Sequence, residues 1–185
     1  KPSTPYAISR ATMDMHLYKF FQNYKLPVIF TRTANVYGPG QQLYRIIPRS
    51  ILSALTGEKL QLHGGGYSER CFIHINDVVK ATITLMENAN PPSAWHISGK
   101  DPISIRHLVM QICSLLDVKF GTIVEETDER LGKDQNYLLD SSKIRDLYKW
   151  DDKIKLHDGL QDTIIWVRNN IDIFKKLSWS YQHKL

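Results

Sequence analysis

Pro27-Val28-Ile29-Phe30-Thr31-Arg32-Thr33-Ala34-Asn35-Val36-Tyr37-Gly38-Pro39-Gly40 falls into two unlike halves. The first is apolar, rich in β-branched and aromatic residues, and reads as a buried strand; the second is a polar turn with two glycines around a proline. In open α/β sheets, ligands bind beyond the carboxyl ends of strands. Asn35 and the glycines are therefore expected in a site loop.

Working outward, Thr4-Pro5-Tyr6 reads as a helix start, with Thr4 as cap and Pro5 where a missing N–H costs nothing. The helix is expected to run to Tyr24, with Met13, Leu17, Phe20, Phe21 and Tyr24 as its core stripe. Tyr6 and Arg10, four residues apart, share one face. On the other side, a helix is expected over 42–55 with Ile46, Ile47 and Ile51 inward, then a short strand over 60–63. Gly64-Gly65-Gly66 lacks the Gly-Lys-Ser/Thr that would make a phosphate loop, and reads as a hairpin-like turn into the strand Arg70–Ile75. Asn76-Asp77 is expected to cap a helix to Asn88 whose stripe is Val79, Ile83 and Met86.

The pattern continues with a strand over 94–99 and a Ser104-capped helix with Leu108, Val109, Ile112 and Leu116 inward. A strand over 121–125 follows, then a short helix capped by Asp140 that holds Ile144 and Leu147. A last helix over 156–175 carries Leu160, Ile164, Val167 and Ile171 at core spacing.

With 185 residues, 42% hydrophobic and 23% charged, the chain has material for one domain with a real core. No apolar run reaches the roughly 18 residues that span a bilayer, and no leader pattern is read, so a membrane is not an expected partner. Two cysteines, Cys71 and Cys113, do not make a disulfide framework; a reduced, cytoplasmic setting is the expectation. The net charge of +5 is spread without a basic run, and Arg32, Arg45, Arg49, Arg70 and Arg130 sit in or beside expected loops and turns. A small diphosphate-bearing molecule explains that arrangement as well as a polymer would, and with no basic run nucleic acid is not an expected partner. No paired His/Cys spacing for a metal occurs.

Three segments in order, Tyr6-Ala7-Ile8-Ser9-Arg10, the Asn35-Val36-Tyr37-Gly38-Pro39 stretch, and Arg70-Cys71-Phe72-Ile73-His74-Ile75-Asn76-Asp77, carry a resemblance. Together they resemble the second half of an extended short-chain dehydrogenase/reductase, the NAD-dependent nucleotide-sugar epimerase/dehydratase family, and within it the dTDP-glucose 4,6-dehydratases. The resemblance implies that Tyr6 is a catalytic acid or base and that Arg10 stands where the family has lysine, which also touches the nicotinamide ribose. A cation one helical turn from a phenol favours phenolate, but a planar guanidinium does not simply replace a compact ammonium. An ordinary surface Tyr-Arg pair is the alternative.

By the same resemblance Asn35 bonds the substrate diphosphate, Arg45 and Ile46 line the sugar-nucleotide cleft, and His63 lies beside the base. Arg70 and Arg130 grip the phosphates, Arg130 within Arg130-Leu131-Gly132-Lys133-Asp134, where relatives carry proline at the second position. A salt bridge to Asp77 is the alternative for Arg70, and His74 is expected to pack rather than ligate.

No Gly-x-x-Gly-x-x-Gly or Gly-x-Gly-x-x-Gly turn occurs in the sequence. The expectation is an α/β chain forming the C-terminal part of a Rossmann-like fold with a small α+β substrate-binding lobe. Residues 1–57 would end the Rossmann-type core, residues 58–185 would be mainly the lobe, and the N-terminal dinucleotide-binding half would be absent. The implied function is binding of a nucleotide-diphosphate sugar for an NAD-dependent epimerase or dehydratase. The chain alone is expected to be inactive and to hold no NAD. The alternative is a non-catalytic unit that forms a homo-oligomer or pairs with a missing N-terminal half.

Overall fold

The computed structural model of the chain describes residue 2 and residues 4–129 and 136–181, and is α/β with mostly parallel strand pairing. Helix α1 (Pro5–Tyr24) leads through Lys25 into β1 (Ile29–Thr33), which continues after Ala34 as β2 (Asn35–Tyr37). The switch at Ala34 organises the molecule. β1 pairs in parallel with β5 (Ser93–Ile97), whereas β2 pairs in parallel with β4 (Glu69–His74). Ala34 N–H donates to Ile97 O at 2.9 Å, keeping the change of partner hydrogen-bonded.

Beyond β2 lie α2 (Ile46–Thr56), β3 (Leu60–His63) and a 3₁₀ turn at Gly64–Gly66. After β4 and α3 (Ile75–Asn88) come β5, β6 (Pro102–Ser104), α4 (Ile105–Leu115), α5 (Phe120–Ile123) and β7 (Val124–Thr127). The chain closes with β8 (Asn136–Tyr137), α6 (Ser142–Tyr148), α7 (Leu156–Asn169) and α8 (Ile171–Phe174). β3 pairs in parallel with β7, and β4 takes β6 antiparallel and β8 parallel along its first residues.

Three apolar clusters fill the interior. The largest packs Ile47, Ile51 and Leu52 of α2 against Leu108 and Ile112 of α4 and Leu160, Ile164 and Val167 of α7. A second joins β4, α3, β5 and α6 through Ile73, Leu85, Ile97 and Ile144; a third sets Leu60 and Leu62 on Val109 and Ile123. Cys71 and Cys113 are free and buried, and burial pushes both thiols up, which keeps them unreactive. No helix among the described residues is long and apolar enough to cross a membrane.

Several sequence expectations are corrected. β1 is half-buried rather than buried, because β5 is its one strand partner among the described residues. Asn35 opens a strand instead of a loop. The three glycines make no hairpin, since β3 and β4 pair into different sheets. α1 begins as expected, with Thr4 Oγ1 accepting from Ala7 N–H, but it has no buried residue; Ala7, Ala11, Asp14, Leu17 and Phe21 are half-buried. Met13, Phe20 and Tyr24 are exposed, and the contact of α1 with β1 is made by Asp14, paired with Arg32 at 2.7 Å.

The cap of α3 is His74, not Asn76-Asp77: its Nδ1 accepts the Asn76 N–H at 3.4 Å. The inward face of α3 is Asp77, Val78, Ala81 and Leu85, so Val79, Ile83 and Met86 are exposed. Asp77 leads that face because its Oδ2 accepts the N–H groups of Lys153 and Ile154 at 3.0 and 2.9 Å, which compensates one oxygen of the buried carboxylate while Oδ1 is left without a hydrogen-bond partner among the described residues. α2 starts at Ile46 rather than 42, Phe120–Ile123 is helical, and the last helix breaks at Asn170. Ser141 occupies the cap position of α6, with Asp140 Oδ1 accepting from Ser142 N–H at 2.8 Å, and Leu147 is exposed while Ile144 is buried. His74 packs, as expected, at 1% exposure.

Close packing fixes Gly159 in the first turns of α7. A Cβ there would run into the Tyr37 hydroxyl and come within 2.9 Å of His74 Cδ2. Alanine is the better helix former by about 1 kcal/mol, but overpacking costs about 1–3 kcal/mol. Gly159→Ala should therefore lower the urea midpoint, by a net destabilisation of up to about 2 kcal/mol. An unchanged or raised midpoint would show that the Tyr37 ring yields.

Candidate nucleotide-binding cleft

A cleft of about 1360 Å³ opens beyond the carboxyl end of β2. Its floor comes from β2 and β4, one wall from the start of α2, another from β3, and its rim from Trp179, Ser180 and Tyr181 after α8. Gly38, just past β2 with φ of 141°, lets the backbone turn against α3; a Cβ there would meet Ile75 Cγ2 at 2.7 Å.

Five residues singled out in the sequence meet in this cleft: Asn35, Arg45, Ile46, His63 and Arg70. Asn35 Nδ2 donates weakly to Cys71 O at 3.4 Å, which holds the amide over the β2–β4 pair. Arg45 stands at the cap position of α2, exposed, its guanidinium 5.4 Å from the Tyr44 ring centre. Ile46 is half-buried and packs on two of the core clusters. His63 Nδ1 lies 2.8 Å from Thr127 Oγ1, which fixes the ring plane across the β3–β7 pair. Arg70 reaches the cleft from β4, with Nη1 donating to Glu69 O at 2.6 Å. The partners seen for the Asp77 carboxylate are the two backbone N–H groups of 153 and 154, not Arg70.

Tyr6 and Arg10 do not line this cleft. Both are exposed on α1, Tyr6 at 75%, and Arg10 Nη1 lies 3.8 Å from Met13 Sδ rather than on the phenol. Arg130 falls outside the described residues.

The cleft also holds Arg49, noted in the sequence only among the arginines beside expected loops, and residues that the sequence reading passed over: Tyr44, Lys59 and the Trp179–Tyr181 rim. Arg49 is four residues from Arg45, a helical spacing that was available as a signal. Nothing in the sequence brings residues 179–181 back to α2. Among the described lining residues, Arg45, Arg49, Lys59 and Arg70 face one carboxylate, Glu125. Guanidinium forks in such number suit the oxygens of a diphosphate.

Residues 1–98 match the model of the NAD dependent epimerase/dehydratase family. The chain belongs to that family. It is 31% identical over 180 residues to the dTDP-D-glucose 4,6-dehydratase of Bos taurus, covering 95% of this chain and 50% of that protein. Among solved structures, the dTDP-glucose 4,6-dehydratase of Bacillus anthracis in complex with NAD superposes with a TM-score of 0.88 at 31% identity, over 96% of this chain and 56% of that one. The UDP-glucose 4-epimerase of Thermotoga maritima with UDP-glucose gives 0.85 at 25% identity, over 92% and 55%. The chain thus spans about half the length of these relatives.

NAD is the dinucleotide that the family description implies, and among the described residues no glycine-rich turn opens a helix to receive its pyrophosphate. The run Gly64–Gly66 leads through Tyr67 and Ser68 into β4 instead of opening an α-helix whose N–H groups would receive a pyrophosphate. The groups assembled in the cleft have the charge and the hydrogen-bond donors that suit an anion.

Tyr37, at the cleft floor, is a structural phenol. It is 2% exposed, stacks edge-on against Phe72 and His74, and directs its hydroxyl to Leu156 O at 3.4 Å. Burial, then the nearby carboxylates of Asp77, Asp158 and Asp162, push its ionisation well above the ordinary phenol range. The folded state therefore keeps a proton that the unfolded chain releases from about pH 10. Stability from this group is complete below about pH 10 and declines as pH rises toward the folded value. Urea unfolding at about pH 8 and 10.5 should show that decline in the wild type and less of it in Tyr37→Phe. Equal slopes would assign the alkaline loss to other groups.

Proposed function

We propose that this chain is the sugar-nucleotide-binding portion of an NAD-dependent nucleotide-sugar dehydratase or epimerase. The observation that carries the reading is the convergence of Asn35, Arg45, His63 and Arg70 from β2, α2, β3 and β4 on one cationic cleft. In this reading Arg70 grips the diphosphate, with Arg130 as a second clamp. Asn35 adds a neutral donor, and Ile46 and His63 flank the nucleoside while Arg45 closes the side of α2. The relatives named as dTDP-glucose dehydratases and a UDP-glucose epimerase make dTDP- and UDP-sugars the first ligands to try.

Hydride transfer belongs to polypeptide that cradles a dinucleotide, and this chain's share is to hold and orient the sugar nucleotide. A part for Tyr6 and Arg10 in proton transfer requires further polypeptide over the exposed face of α1.

A second reading, a partner-binding or self-associating unit, is favoured by one region. Ile8, Met15 and Tyr18 are exposed on α1, and one edge of β1 has no strand partner among the described residues. Light scattering on the purified chain separates the two readings. A monomer that binds ligand supports the first alone, whereas an assembly without affinity for ligand supports the second.

Calorimetric titration with dTDP, UDP, GDP and CDP tests the main reading. One nucleotide should bind selectively, and Arg70→Ala should weaken it at least tenfold, the scale of a charge-assisted phosphate contact of about 1.5–3 kcal/mol. Arg70→Lys should recover part of the loss, since charge returns without the fork. Absence of binding to all four would overturn it.

A further inference from the structure

The segment after α8 returns to the cleft instead of leaving the fold. Trp179 is the anchor. Its indole is 9% exposed within the largest core cluster, Nε1 donates to Phe174 O at 2.6 Å, and the Arg49 guanidinium lies 4.9 Å from its ring centre. Two residues on, the Tyr181 ring meets Tyr44 edge to face at 5.3 Å and is 65% exposed. Arg45 covers Tyr44 from its other neighbour position. The tail thus sets an aromatic ring, fixed at its root by a buried indole, at the rim of a cleft whose cations come from elsewhere.

We propose that this tail is a ligand-contacting strap in which Tyr181, with Tyr44, holds the planar base of the bound nucleotide. The proposal rests on the reading of the cleft as a nucleotide site. Leu177–Tyr181 contributes no cation to meet a diphosphate. What it adds is aromatic surface, which attracts a base by stacking and edge contact. Trp179 acts as a positioning residue, since it sets the strap and stacks on Arg49, and Tyr181 is the contact.

The test compares Tyr181→Ala, Tyr181→Phe and Arg70→Ala with the wild type, by titration with dTDP and UDP at about 50 and 500 mM salt. Tyr181 is exposed, so its substitution should leave thermal unfolding unchanged. Tyr181→Ala should weaken nucleotide binding about tenfold at both salt concentrations, because a ring contact is not screened. Tyr181→Phe should retain wild-type affinity, and the Arg70→Ala effect should shrink as salt rises. Unchanged or tighter binding by Tyr181→Ala, with Arg70→Ala still impaired, would overturn the strap and leave the cleft reading intact. A loss shared by Tyr181→Phe would overturn the role of the ring. Absence of nucleotide binding by the wild type would remove both.

Discussion

The junction of β4 with α3 is the constraint on which the rest of the structure depends. Strand β4 is paired with β6 and β8 along its first residues and with β2 along its last, so six residues are shared among three strand partners. His74 ends the strand and caps the helix at once, its Nδ1 on the Asn76 N–H. One turn later Asp77 reaches out of α3 to the backbone of Lys153 and Ile154, fixing the approach of α7. A buried carboxylate is tolerable only with such partners, and here they are the N–H groups of a loop that would otherwise go unpaired. That bond places Gly159 against Tyr37 and closes the floor of the cleft.

From that junction the chemistry follows. Residues on alternate sides of a strand point to opposite faces, and β4 sends Cys71 and Ile73 into the interior while Arg70 and Phe72 line the cleft. β2, in register beside it, adds Asn35 opposite Phe72. Cations gather on one side because they belong to different elements: Arg45 and Arg49 to α2, Lys59 to the turn before β3, Arg70 to β4. Each is held partly in place before any ligand arrives. Arg49 is stacked on Trp179, Lys59 Nζ donates to Thr122 O at 2.8 Å, and Arg70 donates to Glu69 O. Such preorganisation reduces the ordering cost of anion binding.

Much of this was legible in the sequence because its signals were local or recurrent. Thr4-Pro5 starts α1, Ser104 caps α4, and the spacing of Leu160, Ile164 and Val167 gives the inward face of α7. The Asn35, Arg45, Ile46, His63 and Arg70 set was found through a resemblance carried by motifs, not by periodicity. The errors have a common physical source. On α1, hydrophobic size pointed to Leu17 and Phe21, which are half-covered, but also to Met13, Phe20 and Tyr24, whereas the rest of the covered face is Ala7, Ala11 and the paired Asp14. On α3 a polar residue, Asp77, leads the inward face, so a rule that reads apolar residues as inward slips by one position to Val79. The tail at Trp179 and Tyr181 was illegible for another reason: its contacts with α2 are long-range, and no local pattern encodes them.

The central claim is that ligand recognition resides in the cleft between β2, α2, β3 and β4. Amide chemical shifts of the labelled chain, followed while dTDP or UDP is added, test it most directly. The account predicts shifts concentrated at residues 35–49, 60–70 and 177–181, with α1, Tyr6 and Arg10 silent. Shifts concentrated on α1 and β1 instead, or spread evenly over the molecule, would contradict it.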